Sequence, residues 1–400
     1  MNNVYKYLIE LTKAYLNNET ITLKSEIDYA DLFKLASKHN LSGVIYCVLS
    51  RAVNKEIISA DLMNKMQNNF FDFIYISHMQ SQTAELAKKA LTDAGIRHIP
   101  FKGIELRNYF PVPESRFMGD IDILIDENNR DRAKTAMKAA GFTVKNENGP
   151  VWDYVKDTVL IEMHTNLLNE TIDKKQTIDY FSDAVNKADF NGLCGKFNDT
   201  FHFEYLMAHI AHHFRFYGAG IKLVLDIAVM LKYGSVDLNK AVSDLETAGL
   251  GRFSKEILSI CRKWYNQGEL YIDDTETTEN FIVSFGAFGI HGRNKSAVIA
   301  RKDMEKEKST SPLLMKLRLI FPPYSKLRHL PYISFINGKP YLTPLAWIYR
   351  IFYTLKNKKE FALNTAAGLS DKNTVEQARA ELNYFEEIGL LLYFFIFCLF

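Results

Sequence analysis

No sign of charge dominates this chain: 49 Lys and Arg stand against 47 Asp and Glu, a formal net charge of +2. That balance excludes a protein that binds nucleic acid through its overall charge, though not one with a local basic patch. Cysteine is scarce. Cys47, Cys194, Cys261 and Cys398 are widely spaced, with no Cys-x-x-Cys pair. Neither a zinc knuckle nor a disulfide framework fits that spacing, and a reducing compartment, the cytoplasm, is the expectation. A long apolar run is also missing. Residues 388–400, IGLLLYFFIFCLF, would span about 20 Å as a helix against the roughly 30 Å of a bilayer core. A buried or partner-facing terminal helix is expected there, and no integral membrane segment. The first sixteen residues, MNNVYKYLIELTKAYL, are interrupted by polar and acidic side chains and read as a helix, not as a signal peptide.

What is present is the balance of an ordinary globular protein, 47% hydrophobic and 24% charged, which excludes intrinsic disorder and collagen-like repeats. Four hundred residues exceed what one hydrophobic core usually supports, so several packed units are expected. Proline is absent before Pro100, and six of the ten prolines lie between Pro312 and Pro344. Residues 1–94 read as helices throughout, ending in a long amphipathic stretch over 61–94, with Gly95 supplying a left-handed C-cap.

From Ile96 the hydrophobic period changes. Residues 96–101 read as a short strand, Lys102–Gly103 as a turn into a short helix, and 119–125 as an alternating strand. A helix follows over 129–140, closed by Gly141, then a strand start at 142–145 and a hairpin of 151–155 with 158–164 turning at Lys156–Asp157. This gives a small α/β core over 95–170. The helical pattern returns over 171–300, strongest in 201–233 with an interruption at Gly218-Ala219-Gly220. Residues 301–400 form a separate region. Its first sixty residues hold thirteen Lys and Arg against four Asp and Glu, interleaved with aromatics. An anionic acceptor such as RNA or a lipid-linked sugar phosphate could bind there, but solvated helix faces over a small aromatic core account for the pattern more simply. The fold class is therefore α+β, mostly helical, with a small mixed sheet inserted between helical segments.

The chemistry concentrates in Arg116-Phe-Met-Gly-Asp-Ile-Asp-Ile-Leu-Ile125. On a strand, side chains two apart share a face. Asp120 and Asp122 point one way, and Ile121, Ile123 and Ile125 enter the core on the other. Two aspartates on one face repel unless something neutralises them, and a divalent metal does so. In Val159-Leu-Ile-Glu-Met-His164, Glu162 and His164 share a face. If that strand lies beside the Asp120 strand, Glu162 completes a three-carboxylate site for two metal ions about 4 Å apart. Asp153 or Asp157 would replace Glu162 if the register slipped by one. Lys102 and Arg116 are either partners of these carboxylates or phosphate ligands, and His164 either contacts the ligand or is a satisfied strand-end histidine. His202, His209, His212 and His213 lack the carboxylate of a metalloprotease motif, and Leu206, Ile210 and Phe214 mark a packed face. They are expected to line the cleft without binding zinc.

These segments resemble a family. Phe101-Lys-Gly-Ile-Glu-Leu, then Arg116-x-x-Gly-Asp-Ile-Asp-Ile-Leu-Ile, then Ile161-Glu-Met-His resemble the poorly characterised nucleotidyltransferase family of the DNA polymerase beta-like superfamily. Leu206-Met-Ala-His209 through Asp226-Ile-Ala, Phe321-Pro-Pro-Tyr and Pro344-Leu-Ala-Trp-Ile-Tyr-Arg350 extend the resemblance. It implies a turn at Gly103, a metal pair on Asp120 and Asp122, and Glu162 as the third acid. It further implies Mg²⁺ or Mn²⁺, an NTP as substrate, and NMP transfer to an acceptor (small molecule, protein or RNA) with release of pyrophosphate. Lys102, Gly103, Arg116, Gly119 and His164 are then the candidates for nucleotide contact. One departure stands out: the superfamily turn reads Gly-Ser or Gly-Gly, whereas Ile104 follows Gly103 here, and Lys102 or Arg116 would have to supply positive charge for the phosphates. The same scaffold without turnover, a nucleotide-binding or regulatory protein, is the alternative implied by that departure; a helical partner-binding protein is the third.

Overall fold

A computed structural model describes residues 3–147, 149–168, 174–285, 294–307, 311–328, 330–357 and 359–391. It divides into two compact units, residues 1–292 and 293–400.

The first unit opens with four helices: α1 (Asn3–Leu16), α2 (Tyr29–Lys38), α3 (Ser42–Leu49) and α4 (Ala60–Asp93). Local chemistry sets their ends. The Asp28 carboxylate accepts from the backbone N–H groups of Ala30 and Asp31 to start α2, and the Ser59 hydroxyl accepts from Leu62 N–H to start α4. Gly95 at φ +68° takes the left-handed position that ends α4, as its sequence predicts.

The chain then alternates: β1 (His98–Phe101), α5 (Gly103–Leu106), β2 (Asp120–Ile125), α6 (Arg130–Ala139), β3 (Thr143–Asn146), β4 (Val151–Lys156) and β5 (Val159–His164). After α7 (Lys175–Phe181) come two further strands, β6 (Ala188–Asn191) and β7 (Cys194–Phe197). The seven strands form one sheet in the order β3-β4-β5-β2-β1-β7-β6. β2 runs parallel to β5 and antiparallel to β1. The sheet is mixed and the chain mostly helical, as expected, but the helical pattern after residue 171 hides the β6–β7 hairpin. Its four-residue strands are too short to show a period.

One face of the sheet is dry. Ile121, Ile123 and Ile125 of β2 and Ile161 and Met163 of β5 pack against Ala84, Ala87 and Leu91 of α4 and Ala133 and Met137 of α6. The opposite face turns toward α8 (Asp199–Phe216), through Phe101 of β1, which meets Tyr205 edge-on at 5.4 Å. The rest of the unit is α9 (Ile221–Tyr233), α10 (Leu238–Thr247), α11 (Gly251–Tyr265) and α12 (Glu276–Phe285).

The second unit holds α13 (Lys295–Glu307), α14 (Pro312–Ile320), α15 (Tyr324–Leu327), α16 (Thr343–Asn357), α17 (Lys359–Gly368) and α18 (Lys372–Glu387). Ala297, Ala300, Met304, Met315, Leu369 and Ala378 form one core, and Leu327, Ile333, Ile336 and Ala346 a second, with Tyr324, Tyr332 and Trp347 packed on it. Where a small aromatic core was expected of the segment, the buried centre of that second cluster is aliphatic with aromatics packed around it, and Tyr341, Ile348 and Phe352 stay exposed. Of the hydrophobic stretch 388–400, residues 392–400 lie outside the described residues. Among the described residues no helix is long and apolar enough to cross a membrane.

Candidate functional site

The parallel register of β2 and β5 sets Asp122 directly beside Glu162, and antiparallel β4 sets Asp153 on Glu162's other side. Residues opposite each other on neighbouring strands share a face, so the alternation that buries Ile121 and Ile123 delivers Asp122 and Glu162 to the same spot. His164, two residues beyond Glu162, joins them. Its Nε2 is 2.8 Å from Asp122 Oδ1 and 3.5 Å from Glu162 Oε2. The donor atoms of Asp122, Glu162 and His164 all lie within 4.8 Å of one another.

Two carboxylates and an imidazole at that spacing suit a divalent cation, whose adjacent ligand atoms stand about 3 Å apart when each is about 2.1 Å from the ion. Asp122 is buried and Glu162 partly open, so this site has a closed side and an approachable one. Asp120 lines the same cavity as Asp122, one full strand repeat away.

The electrostatics are those of a crowded acidic cluster met by one lysine. Lys102 Nζ lies 2.7 Å from the same Asp122 oxygen that His164 meets. Burial alone would raise the Asp122 carboxyl, but the Lys102 ammonium and the His164 hydrogen bond hold it below the usual carboxylate range. Asp120 goes the other way: burial, then the charges of Asp122 and Glu162, push it up to about 6. Burial would lower His164, yet its bonds to Asp122 and Glu162 raise it.

Lys102 reaches Asp122 from an unusual backbone. Its φ of +53° and ψ of −126° are values that favour glycine, and a conformation of this kind costs on the order of 1–3 kcal/mol in a lysine. Part of the support comes from α8, where His202 Nε2 accepts the Lys102 N–H at 3.1 Å. Burial keeps His202 neutral, with its pKa lowered to about 4, so the ring can accept. The glycine that follows serves packing. A Cβ on Gly103 would lie 2.6 Å from Met118 Sδ and 3.1 Å from an Arg116 nitrogen. At Gly119 a Cβ would meet nothing within 4 Å, so that wall of the cavity is open.

Arg116 is held elsewhere. Its guanidinium grips Asp226 of α9 with two bonds, Nε to Oδ1 at 2.8 Å and Nη2 to Oδ2 at 2.9 Å, both side chains being buried. The loop carrying it is pinned from two sides. Gln80 of α4 donates to Met118 O at 2.8 Å, and the Tyr15 hydroxyl accepts from Val112 N–H at 3.0 Å. Thus Lys102 is a partner of a site carboxylate, one of the alternatives that the sequence left open, whereas Arg116 pairs with Asp226, which lay outside the alternatives weighed for it.

Lys102, Arg116, Asp120, Asp122 and Asp226 line one cavity of about 70 Å³, to which α8 contributes Leu206, His209 and Ile210. The expected lining role holds for His209. His213 packs edge-on against its ring at 4.5 Å. Sequence reasoning missed Lys222, on the first turn of α9, which faces this cavity with Asp226 four residues later. A signal existed: Lys222 and Asp226 are the sole charges in Ile221-Lys-Leu-Val-Leu-Asp-Ile-Ala-Val-Met-Leu231, and an i,i+4 pair on an otherwise apolar helix is a buried pair.

Residues 25–266, more than half of the chain, match the family described as uncharacterised nucleotidyltransferase. No curated protein and no solved structure matches the chain.

Proposed function

The chain belongs to the uncharacterised nucleotidyltransferase family, and from that membership we propose that it transfers a nucleoside monophosphate from an NTP to an acceptor hydroxyl, releasing pyrophosphate. The observation that carries this reading is the pairing of Asp122 with Glu162 in adjacent parallel strands, with His164 completing a three-donor cluster. In the balanced reaction the acceptor oxygen forms a bond to the α-phosphorus, the α–β bridging P–O bond breaks, and pyrophosphate leaves with that electron pair.

A bound divalent cation would supply Lewis-acid stabilisation of the charge on the transferring phosphate and lower the pKa of the attacking hydroxyl. Asp122, Glu162 and His164 are the residues placed to hold it, with Asp120 as a further carboxylate at the cavity wall. Glu162, the partly open member, is placed to take the acceptor's proton. Lys102 neutralises Asp122 in the free protein and can turn to a phosphate once Asp122 is otherwise occupied. Gly119 leaves an open wall, and Gly103 lets Met118 close over the turn. Arg116 acts by fixing the position of α9. The helices α8 and α9 form the wall that would select the acceptor, whose identity the metal-binding chemistry does not constrain.

A non-catalytic nucleotide-binding protein is the second reading. It is favoured by the Lys102 ammonium on Asp122 and by a cavity of about 70 Å³, far smaller than the several hundred Å³ of a typical ligand site.

The test needs no acceptor. Each of the four NTPs, with Mg²⁺ and with Mn²⁺, is titrated into wild-type protein and an Asp120→Asn/Asp122→Asn variant while the melting temperature is read. Metal-dependent stabilisation of wild type alone supports the nucleotide site and names the base, and an α-phosphate label then separates transfer from binding without turnover. No shift with any nucleotide and metal overturns both readings.

A further inference from the structure

In the cavity two buried cations, Arg116 and Lys222, share the carboxylate of Asp226. Lys222 is buried, its side chain 9% exposed, and its ammonium has a carboxylate neighbour in Asp226, at 3.4 Å. That carboxylate is shared: Arg116 donates to both of its oxygens at 2.8 and 2.9 Å, and Lys222 reaches one of them at the longer 3.4 Å. Around Asp226, two buried cations therefore share one negative charge. A buried charge is costly unless paired and hydrogen-bonded, and the Arg116–Asp226 pair is complete without Lys222. Burial, followed by the neighbouring Arg116 charge, pushes the lysine down to about 8, against the opposing pull of Asp226 and Asp120.

We propose that Lys222 binds the phosphates of the nucleotide that are not transferred. This assignment rests on the nucleotide reading above. Lys222 lines the same cavity as Asp120 and Asp122 but comes from α9 and not from the sheet, so a polyphosphate whose α-phosphate sits at the carboxylates has Lys222 in the same cavity. It occupies the first turn of a thirteen-residue helix entered through Gly220, and the positive end of that helix adds to its charge. Lys102 is not equivalent: it sits 2.7 Å from Asp122, whereas Lys222 has no carboxylate of its own. The polyphosphate fills the anion deficit that the fold leaves around Lys222.

The experiment uses the full chain as wild type, Lys222→Met and Lys222→Arg, with sodium tripolyphosphate in EDTA as the metal-free probe and isothermal titration as the readout. Methionine keeps the apolar stem and leaves the Arg116–Asp226 pair intact, and arginine keeps the charge, so cooperative melts of the two variants check the fold. Tripolyphosphate is expected to bind wild type, to bind Lys222→Met about ten- to a hundredfold more weakly, and to recover in Lys222→Arg. Equal binding to wild type and Lys222→Met, or no binding to wild type, overturns the assignment. The same proteins are then titrated with the four NTPs and Mn²⁺. If metal-dependent NTP stabilisation is unchanged in Lys222→Met, the Lys222 assignment falls and the nucleotide reading stands. If tripolyphosphate binding depends on Lys222 while no NTP binds wild type, the anion site stands and the nucleotide reading falls.

Discussion

Replacing Asp226 with asparagine strips the one carboxylate from a buried group of three charges. Arg116 and Lys222 would be left as two uncompensated cations, with an amide offering one acceptor where Arg116 now finds two. Removing one member of a buried, hydrogen-bonded ion pair costs about 3–5 kcal/mol, because the remaining charge stays desolvated. The upper half of that range applies here, since two cations lose the same partner. At roughly 2–4 °C per kcal/mol for a unit of a few hundred residues, Asp226→Asn should melt about 8–20 °C below wild type in calorimetry of the full chain. The decisive arm is the double variant. Lys222→Met alone leaves Arg116–Asp226 paired, so it should cost little. Combined with Asp226→Asn it removes one of the two stranded cations and should recover about 1–3 kcal/mol of the loss. An Asp226→Asn protein within about 1 kcal/mol of wild type would refute the claim that this carboxylate neutralises the group. Strict additivity in the double variant would refute the claim that Lys222 shares it.

Glu204 of α8 accepts from Tyr180 at 2.6 Å, the same hydroxyl lies 3.1 Å from Asp244, and burial raises the Glu204 carboxyl to about 7. A raised carboxyl pKa gives stability that is full below the unfolded value and lost as pH rises through about 7. Glu204→Gln should therefore melt above wild type at pH 8 and close to it at pH 5, and a pH-independent difference would count against a proton held there. Lys102→Met frees the Asp122 oxygen that the ammonium now occupies at 2.7 Å, so Mn²⁺ alone should bind about tenfold more tightly by titration calorimetry. Unchanged or weaker binding would show that Lys102 does not compete for that oxygen. Gly103→Ala drives a methyl to 2.6 Å from Met118 Sδ and should cost about 1–3 kcal/mol of stability in urea melts, partly recovered by adding Met118→Ala. A neutral Gly103→Ala would mean that Met118 moves aside freely.

What could be read from the sequence was whatever shows as a period or a turn. The alternation of Asp120 to Ile125 placed three isoleucines in the core and two aspartates opposite them, and the chain does this. The hairpin at Lys156–Asp157 turns with Asp157 at φ +53°, a left-handed value that aspartate tolerates. The β6–β7 hairpin escaped because four-residue strands carry no period, although Asn191–Gly192 at its turn, with Gly192 at φ +65°, is a short-range hairpin signal. His164 was legible as a neighbour of Glu162, but its bond to Asp122 depends on the β2–β5 register, which lies outside any local pattern. The link from Arg116 to Asp226 spans 110 residues and has no local trace.

The two lysines of the cavity show why charge alone does not assign a role. Lys102, Arg116 and Lys222 face Asp120, Asp122 and Asp226, three cations against three carboxylates, and the lining is formally neutral. Its distribution is uneven. The anionic excess lies at the sheet, where Asp120 is pushed up to about 6 beside Asp122 and Glu162, and the cationic excess lies at α9, where Lys222 is pushed down to about 8. Burial is the largest cause of both shifts, and neighbouring like charges add to each. A divalent cation at the sheet would relieve the first and a polyanion at α9 the second, and a metal–polyphosphate complex brings both charges in one ligand. Either component alone should therefore bind more weakly than the two together. Titrating Mn²⁺ in the presence and absence of tripolyphosphate measures that coupling, and equal Mn²⁺ affinities in the two titrations would break the argument.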